Sequence, residues 1–294
     1  MSSTEFTARD GARLRIAESG PADAPVTAVL VHGWTLASGT WDGVVERLPG
    51  EVRALRFDLR GQGGSAPAEP GLATIERCAD DLAELIESRV PSGRVLLAGH
   101  SMGGMTIMAL AERHPELLGR VSGIALVGTS AGDLSAPDFR LSRPAAAVFN
   151  AGERLLRARL AASRGARVAR GSRWLRPGIR WLLFGTRPQR EHVAAAADWV
   201  ASTHPASTAS YRESLAVHER LTALERIAGI PTVILAGTRD RLTPVSHAQR
   251  IADALPEAEL VLYPGAGHML PMERADEVAS RVASLLASAP SASA

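Results

Sequence analysis

The chain has 294 residues, 46% of them hydrophobic, and a formal net charge of +2 at pH 7. This composition is ordinary for a soluble globular enzyme, and the length allows one domain or two. The single cysteine, Cys78, excludes an intrachain disulfide, and no apolar run reaches the ~18 residues of a membrane span. Because the N-terminus also lacks a basic stretch followed by an apolar one, the sequence predicts a cytoplasmic protein without a transmembrane segment.

Short apolar runs alternate along the chain with helical patterns, which predicts an α/β fold: a mostly parallel central sheet flanked by helices on both faces. Two short strands on either side of Asp10-Gly11 form a predicted opening hairpin, at 6–8 and 14–17. The other predicted strands are 26–31, 52–57, 94–98, 121–127, 232–236 and 259–262. The predicted helices are 40–48, 75–89, 102–114, 245–255 and 274–286.

About a hundred residues separate the sixth predicted strand from the seventh, and a structureless loop of that length is rare in a compact domain. Its Ala, Arg and Leu content, together with three tryptophans, predicts several helices. We therefore assign 131–228 to a helical cap inserted after the sixth strand, and 1–130 and 229–286 to the core that contains the sheet. The Ser- and Ala-rich tail 287–294 is predicted to be disordered.

Glycines crowd around Ser101 in the stretch Gly99-His-Ser-Met-Gly103, between a predicted strand and a predicted helix. This pattern is G-x-S-x-G, the nucleophile elbow, in which a strained turn lifts the serine hydroxyl above the sheet. Glycines two residues before and after the serine avoid clashes in that turn. Ser101 is therefore the candidate nucleophile, at a helix N-terminus whose positive end favours a developing oxyanion.

A serine hydroxyl needs a base to take its proton and an acid to orient that base. His268 is the best candidate base among eight histidines, because it lies on a glycine-rich loop directly after the last strand. Asp240 follows the penultimate strand, on the same predicted edge of the sheet. The three residues follow the chain order Ser, Asp, His, which is the order in folds that carry the nucleophile elbow and differs from the other two serine-protease orders.

Acyl transfer also needs hydrogen-bond donors for the tetrahedral oxyanion. Two backbone N–H groups are predicted to supply them: that of Met102, directly after the nucleophile, and that of Trp34 in the loop after the first long strand. The side chains of Trp34 and Met102 are then expected to line the acyl pocket, since their main chains face the reacting carbonyl.

In combination, these motifs resemble those of the α/β-hydrolase superfamily, in its serine-nucleophile, esterase- and lipase-like branch. The resemblance covers the chain outside the cap. It is carried by His32-Gly33-Trp34, Asp58 to Ser65, Gly99 to Gly103, Asp240 before Pro244, and Gly267-His268 followed by Glu273. It implies a structural, non-catalytic role for 58–65, where Gln62 stands at a position that is often histidine in the family.

The predicted function is hydrolysis of carboxylic esters, either apolar acyl esters or lactones, through an acyl-enzyme on Ser101. No cofactor is expected, and one cysteine with scattered histidines offers no metal-ligand spacing. Three alternatives stay open: a biosynthetic thioesterase or cyclase acting on a carrier-bound or polyketide-like substrate, a cofactor-free perhydrolase, and a non-catalytic ligand receptor on the same fold. The intact set of Ser101, Asp240 and His268 argues against the receptor.

The predicted cap is strongly basic. Thirteen arginines and one acid, Glu153, lie between Arg140 and Arg190, and the chain has no lysine. The stretch 171–185 mixes arginine with apolar residues, which favours an apolar acyl pocket beneath a charged outer face. This pocket is predicted to be lined by Trp174, Trp181 and Phe184. The arginines could instead face an anionic lipid surface or an acidic partner such as a carrier protein. The sequence contains no motif that reads a nucleic-acid groove, so nucleic-acid binding is not expected.

Overall fold

A computed structural model describes residues 2–69, 71–134 and 173–287, and within them the chain forms an eight-stranded sheet. The strands lie in the order β1-β2-β4-β3-β5-β6-β7-β8. Their bounds are β1 Ser2–Thr7, β2 Arg13–Ser19, β3 Val26–Val31, β4 Arg53–Phe57, β5 Arg94–His100, β6 Val121–Val127, β7 Thr232–Gly237 and β8 Glu259–Tyr263. The predicted α/β class and the opening hairpin are both confirmed.

Two pairings of the described sheet are antiparallel: β1 pairs with β2 in the hairpin, and β2 pairs with β4. From β4 through β3, β5, β6, β7 and β8 every pairing is parallel. The carboxyl ends of these six strands therefore meet at one edge of the sheet, where ligands bind in open α/β folds. Ser101, Asp240 and His268 all follow strands at that edge.

Helices cover both faces of the sheet. Their bounds are α1 Asp42–Val45, α2 Ile75–Arg89, α3 Met102–Arg113, α4 Arg176–Leu183, α5 Arg190–Ser202, α6 Pro205–Ala216, α7 Val245–Ala254, α8 Leu270–Glu273 and α9 Ala275–Ala287. Most predicted helix ends agree within one or two residues. The predicted helix 40–48 is shorter, a 3-10 turn at Ser38–Trp41 followed by the single turn α1, in which Gly43 has poor helix propensity.

Alternate residues of the central strands enter two separate cores, which explains their unbroken apolar runs. Val29 and Val31 of β3 pack in the larger core beneath α2 and α3. Ala28 and Leu30 of the same strand pack on the opposite face, in the core that includes Val278 of α9. Burial on both faces holds the strands rigid and fixes the edge from which the site loops project.

Helices α4, α5 and α6 lie between β6 and β7, where the cap is predicted. Residues 135–172, which carry the predicted cap's arginines from Arg140 to Arg170, and residues 288–294 of the predicted tail lie outside the described residues. The division into core and cap therefore stays a prediction. Within the described ranges, no helix combines the length and apolar character needed to cross a membrane.

Candidate active site

Ser101 has a backbone conformation that L-residues rarely adopt. Its φ of 54° and ψ of −120° place it outside both the helical and the strand regions, directly between β5 and α3. Such strain persists only where the surrounding structure enforces it, and it clusters at active sites. The main chain is held by a bond from the Ser101 N–H to the Val127 carbonyl, 2.9 Å, and by the Thr129 hydroxyl, which donates to the Ser101 carbonyl at 2.7 Å.

The glycines around Ser101 are required by close backbone packing. A Cβ on Gly99 would lie 2.5 Å from the Gly103 carbonyl carbon, and a Cβ on Gly103 would lie 2.2 Å from the Val31 carbonyl oxygen. A Cβ on Gly104 would meet the Thr129 hydroxyl at 2.6 Å. Any side chain at these positions would push α3 away from the sheet, and with it the turn that presents Ser101.

Asp240 and His268 form a buried pair at the same sheet edge. The His268 Nδ1 donates to Asp240 Oδ2 at 2.8 Å, and the side chains are 3% and 0% exposed. Since Nδ1 carries the proton, Nε2 of the neutral ring keeps its lone pair and is free to accept a proton. This is the arrangement that a general base needs.

Three further donors hold the Asp240 carboxylate. The N–H groups of Leu242 and Thr243 donate to Oδ1 at 2.8 and 2.9 Å, and the Thr243 hydroxyl donates to Oδ2 at 2.8 Å. Burial by itself would raise the pKa of Asp240, but the neighbouring His268 and the two Thr243 donors lower it below its usual value. The carboxylate is therefore ionised and fixed in orientation.

His100 joins the serine turn to the histidine loop. Its Nε2–H donates to the His268 carbonyl at 2.9 Å, and the two ring centroids are 4.9 Å apart. Burial lowers the pKa of His100 to about 3, so that its ring stays neutral at physiological pH. The residue before the candidate nucleophile Ser101 is thus bonded to the residue predicted to be the base.

Other close approaches bring the two halves of the site together. A Cβ on Gly33 would lie 3.0 Å from the Ser101 Cβ, and one on Gly128 would lie 3.5 Å from Asp240 Oδ2 and 3.7 Å from His268 Nδ1. Among the described residues, the Ser101 hydroxyl and the imidazole are not joined by a hydrogen bond. Catalytic hydrogen bonds of this kind are often long before substrate binds.

The predicted oxyanion residues lie beside Ser101. A Cβ on Gly33 would lie 3.0 Å from the Ser101 Cβ, so the loop that bears Trp34 lies close to Ser101, and Met102 is the first residue of α3. The Met102 side chain is fully buried in the larger core, and Trp34 is partly buried against the same core. Oxyanion donation by their N–H groups and the lining of a pocket by their side chains stay predictions.

The three aromatic residues predicted to line the pocket are placed differently from one another. Phe184 is 1% exposed and packs with Leu36 and Met269, next to His268. Trp174 is 92% exposed and Trp181 is 56% exposed, and the described structure does not bring either side chain to Ser101. Trp181 lies on α4, whose buried side carries Leu183, so that the Trp181 ring meets solvent. Trp174 lies before α4, in the 3-10 turn Arg173–Leu175, which has no buried residue.

His32 and Asp58 belong to the framework, as the sequence predicts for 58–65. His32 Nε2 accepts from the Leu59 N–H at 2.9 Å, and its Nδ1 donates to the Gly33 carbonyl at 2.7 Å. Asp58 accepts from the Gly64 N–H at 2.7 Å and from the Ser38 N–H at 2.6 Å. These bonds tie the loops after β3 and β4 together, which fixes the turn next to Ser101.

Sequence reasoning missed Thr129 and Thr243, whose hydroxyls bond Ser101 and Asp240. The position of Thr243, three residues after the acid, is a signal that could have found it; Thr129 is brought in only by the tertiary fold. In the described ranges, no cluster of three His, Cys, Asp or Glu side chains has a geometry that could hold a metal ion.

Comparison with known proteins places this site in a family. A model of the alpha/beta hydrolase family matches residues 28–281. Pimeloyl-[acyl-carrier protein] methyl ester esterase of Nitrosomonas europaea is 29% identical over 254 residues, which cover 82% of this chain and 87% of that protein.

Among solved structures, a thermophilic esterase from Thermogutta terrifontis is similar, with a TM-score of 0.77 and 27% identity over 98% of each chain. The enol-lactonase from Burkholderia xenovorans LB400 has a TM-score of 0.76 and 25% identity, over 97% of this chain and 100% of that one. The sheet order, the elbow and the match over most of the chain agree, and this chain belongs to the alpha/beta hydrolase family.

Proposed function

We propose that the protein is a serine hydrolase that cleaves carboxylic esters through an acyl-enzyme on Ser101. The observation that carries the proposal is the buried Asp240–His268 pair at the sheet edge where the strained Ser101 turn projects. The relatives support the reaction class, since they include esterases and an enol-lactonase.

In this mechanism, His268 Nε2 accepts the proton of the Ser101 hydroxyl as the oxygen attacks the ester carbonyl. Asp240 keeps the Nδ1 proton in place and stabilises the imidazolium that forms. The N–H groups of Met102 and Trp34 donate to the oxyanion. The imidazolium then protonates the leaving alkoxide, and a water activated by the same ring releases the acid and restores Ser101.

The proposed substrates are esters or lactones with a short to medium apolar acyl group. Phe184, Leu36 and Met269 form a small apolar cluster next to His268, which suits an acyl chain rather than a charged group. Since fold alone does not set the substrate, the identity of the alcohol is part of the test.

A carrier-bound ester is the second candidate, and two observations favour it. One relative is named for an acyl-carrier-protein ester. On the described part of the basic segment, the side chains of Arg173, Arg180, Arg187 and Arg190 are exposed. An acidic carrier protein docking there would bind more weakly as salt rises, while turnover of a small ester would stay nearly constant.

The proposal is tested with a fluorophosphonate probe and with p-nitrophenyl esters. The wild-type protein is expected to be labelled and to hydrolyse the esters, and Ser101→Ala is expected to do neither. Ser130→Ala is the matched control, because Ser130 is a buried serine whose hydroxyl lies 2.8 Å from a histidine nitrogen, His247 Nδ1, but outside the elbow. Unlabelled wild-type protein, or labelling that survives Ser101→Ala, would refute the proposal.

A further inference from the structure

Glu273 bridges two separate segments of the chain next to the proposed base. Its Oε2 accepts from the Gly185 N–H at 2.8 Å, and its Oε1 accepts from the Gly267 N–H at 3.0 Å. Gly267 directly precedes His268, whereas Gly185 follows α4 in the segment between β6 and β7. One carboxylate therefore joins the predicted cap to the loop of the proposed base.

The segment Trp181–Thr186, here called the strap, makes further bonds to the same loop. The Leu183 carbonyl accepts from the His268 N–H at 2.9 Å and from the Met269 N–H at 3.2 Å. The Thr186 N–H donates to the Gly265 carbonyl at 2.8 Å. The backbone on both sides of His268 is thus bonded to the strap, in addition to the bond that the His268 carbonyl accepts from His100 of β5.

Two glycines allow this close approach. A Cβ on Gly185 would lie 2.1 Å from the Gly265 carbonyl oxygen, and one on Gly267 would lie 2.4 Å from the Gly185 nitrogen. The strap also reaches the loop of the acid, since the Arg241 guanidinium donates to the Trp181 carbonyl at 2.6 Å. Loops carrying both proposed partners of Ser101 therefore rest on one short segment.

Within the described residues, the N–H groups of Gly185 and Gly267 both donate to the Glu273 carboxylate. A carboxylate offers an acceptor oxygen to each of them, and charge-assisted bonds of this kind are stronger than neutral ones. An amide would offer one acceptor oxygen and would turn its NH₂ group toward the second N–H. The site thus demands a carboxylate chemically, although Glu273 bonds neither Ser101 nor Asp240.

We infer that Glu273 is a positioning residue: by tying the strap to Gly267, it holds the His268 imidazole in register with Ser101. This inference rests on the proposed function. It adds that the docking of the strap and the alignment of the base are coupled, because the Glu273 carboxylate bonds both segments.

The test compares Glu273→Ala and Glu273→Gln with wild type and with Glu277→Gln. Glu277 lies on the neighbouring helix α9, where its side chain is 51% exposed, which makes it a matched control. Hydrolysis of p-nitrophenyl acetate gives kcat and KM, and fluorophosphonate gives the labelling rate of Ser101. Hydrogen exchange of peptides covering 181–187 and 264–269 reports on the tie itself, and thermal melting reports on the fold.

Glu273→Ala is expected to lower kcat and the labelling rate roughly tenfold to hundredfold with KM little changed, since small misplacements of a catalytic group cost this much. Glu273→Gln keeps one acceptor oxygen and tests the same contact if the alanine variant fails to fold. Its kcat and labelling rate are expected to lie between those of Glu273→Ala and wild type. Exchange in both peptides rises together in both variants. Glu277→Gln is expected to match wild type in all four measurements.

Wild-type kcat and labelling in a folded Glu273→Ala variant would overturn the inference while the proposed function stands, and so would faster exchange in only one of the two peptides. Wild-type protein that neither hydrolyses the ester nor reacts with the probe would instead refute the proposed function, and the inference would fall with it. A loss of kcat confined to variants with lowered melting temperatures would indicate a merely structural role and would also overturn the inference.

Discussion

Asp240→Asn is the substitution that tests the orientation of the base most directly. In the wild-type structure, Oδ1 accepts two backbone N–H groups, from Leu242 and Thr243, while Oδ2 accepts from His268 Nδ1. An asparagine keeps its one carbonyl oxygen where the two backbone donors lie. Its NH₂ group then replaces Oδ2 and faces the imidazole.

Two donors cannot share that contact, so His268 must place its proton on Nε2 and accept from the new amide at Nδ1. In this tautomer the nitrogen near Ser101 has no lone pair and cannot accept the hydroxyl proton. We expect kcat to fall about 10⁴-fold, as the substitution that imposes the wrong tautomer does in a Ser-His-Asp protease, equivalent to ~5.5 kcal/mol of activation free energy.

The assay is initial-rate hydrolysis of p-nitrophenyl acetate, with melting curves to confirm that the variant folds. Asp253→Asn serves as the control, because this carboxylate on α7 bonds only the exposed Gln249 side chain among its described partners, at 2.8 Å. The control is expected to keep wild-type kcat. An Asp240→Asn variant within tenfold of wild type would refute the assignment of Asp240 as the group that fixes the tautomer of His268.

Three further predictions concern stability. Gly103→Ala places a Cβ 2.2 Å from a backbone oxygen and is expected to lower the free energy of unfolding, measured in urea, by about 1–3 kcal/mol or more. Gly119→Ala is the control, because a Cβ there meets open space and is expected to leave the free energy of unfolding unchanged. Equal effects of the two substitutions would contradict the packing argument. Asp81→Ala leaves the guanidinium of Arg60, 1% exposed, without its buried partner and is expected to cost about 3–5 kcal/mol by the same measurement, and a loss below 1 kcal/mol would show that the pair contributes little. Burial lowers the pKa of His218 to about 4, so between about pH 6.5 and 4 the unfolded state binds one more proton than the folded state. The free energy of unfolding therefore decreases as the pH is lowered through this range. His218→Gln should reduce this pH dependence in urea titrations, and an unchanged pH dependence would assign it to other groups.

The sequence carried much of the fold because the relevant signals are local. Runs such as Val121–Val127 are apolar without alternation, and their complete burial in the structure explains that pattern. The turn at Ser101 was also predictable from the sequence, because Gly99 and Gly103 approach other backbone atoms too closely for any side chain to fit. The predicted helix at 40–48 was too long: a 3-10 turn precedes a single helical turn, which contains Gly43 with its poor helix propensity.

The parts that sequence reasoning missed depend on contacts between distant segments. Glu273 lies 88 residues from Gly185 along the chain, and no periodicity relates the two. The exposure of Trp181 likewise follows from the orientation of α4, and that of Trp174 from the exposed 3-10 turn before α4, neither of which composition encodes. Side chains of similar character can face a pocket or solvent, and only packing distinguishes them.

By itself the sequence determined the alternation of strands and helices, the strained serine turn, and the chain order of the three proposed catalytic residues, because backbone sterics and hydrophobic periodicity act over a few residues. The tertiary structure decided which loops converge. Parallel pairing of β5, β7 and β8 with their neighbours brings Ser101, Asp240 and His268 to one edge. It also decided that the strap and Glu273 hold the loop of the base, since these bonds exist only once segments far apart in the chain are packed together.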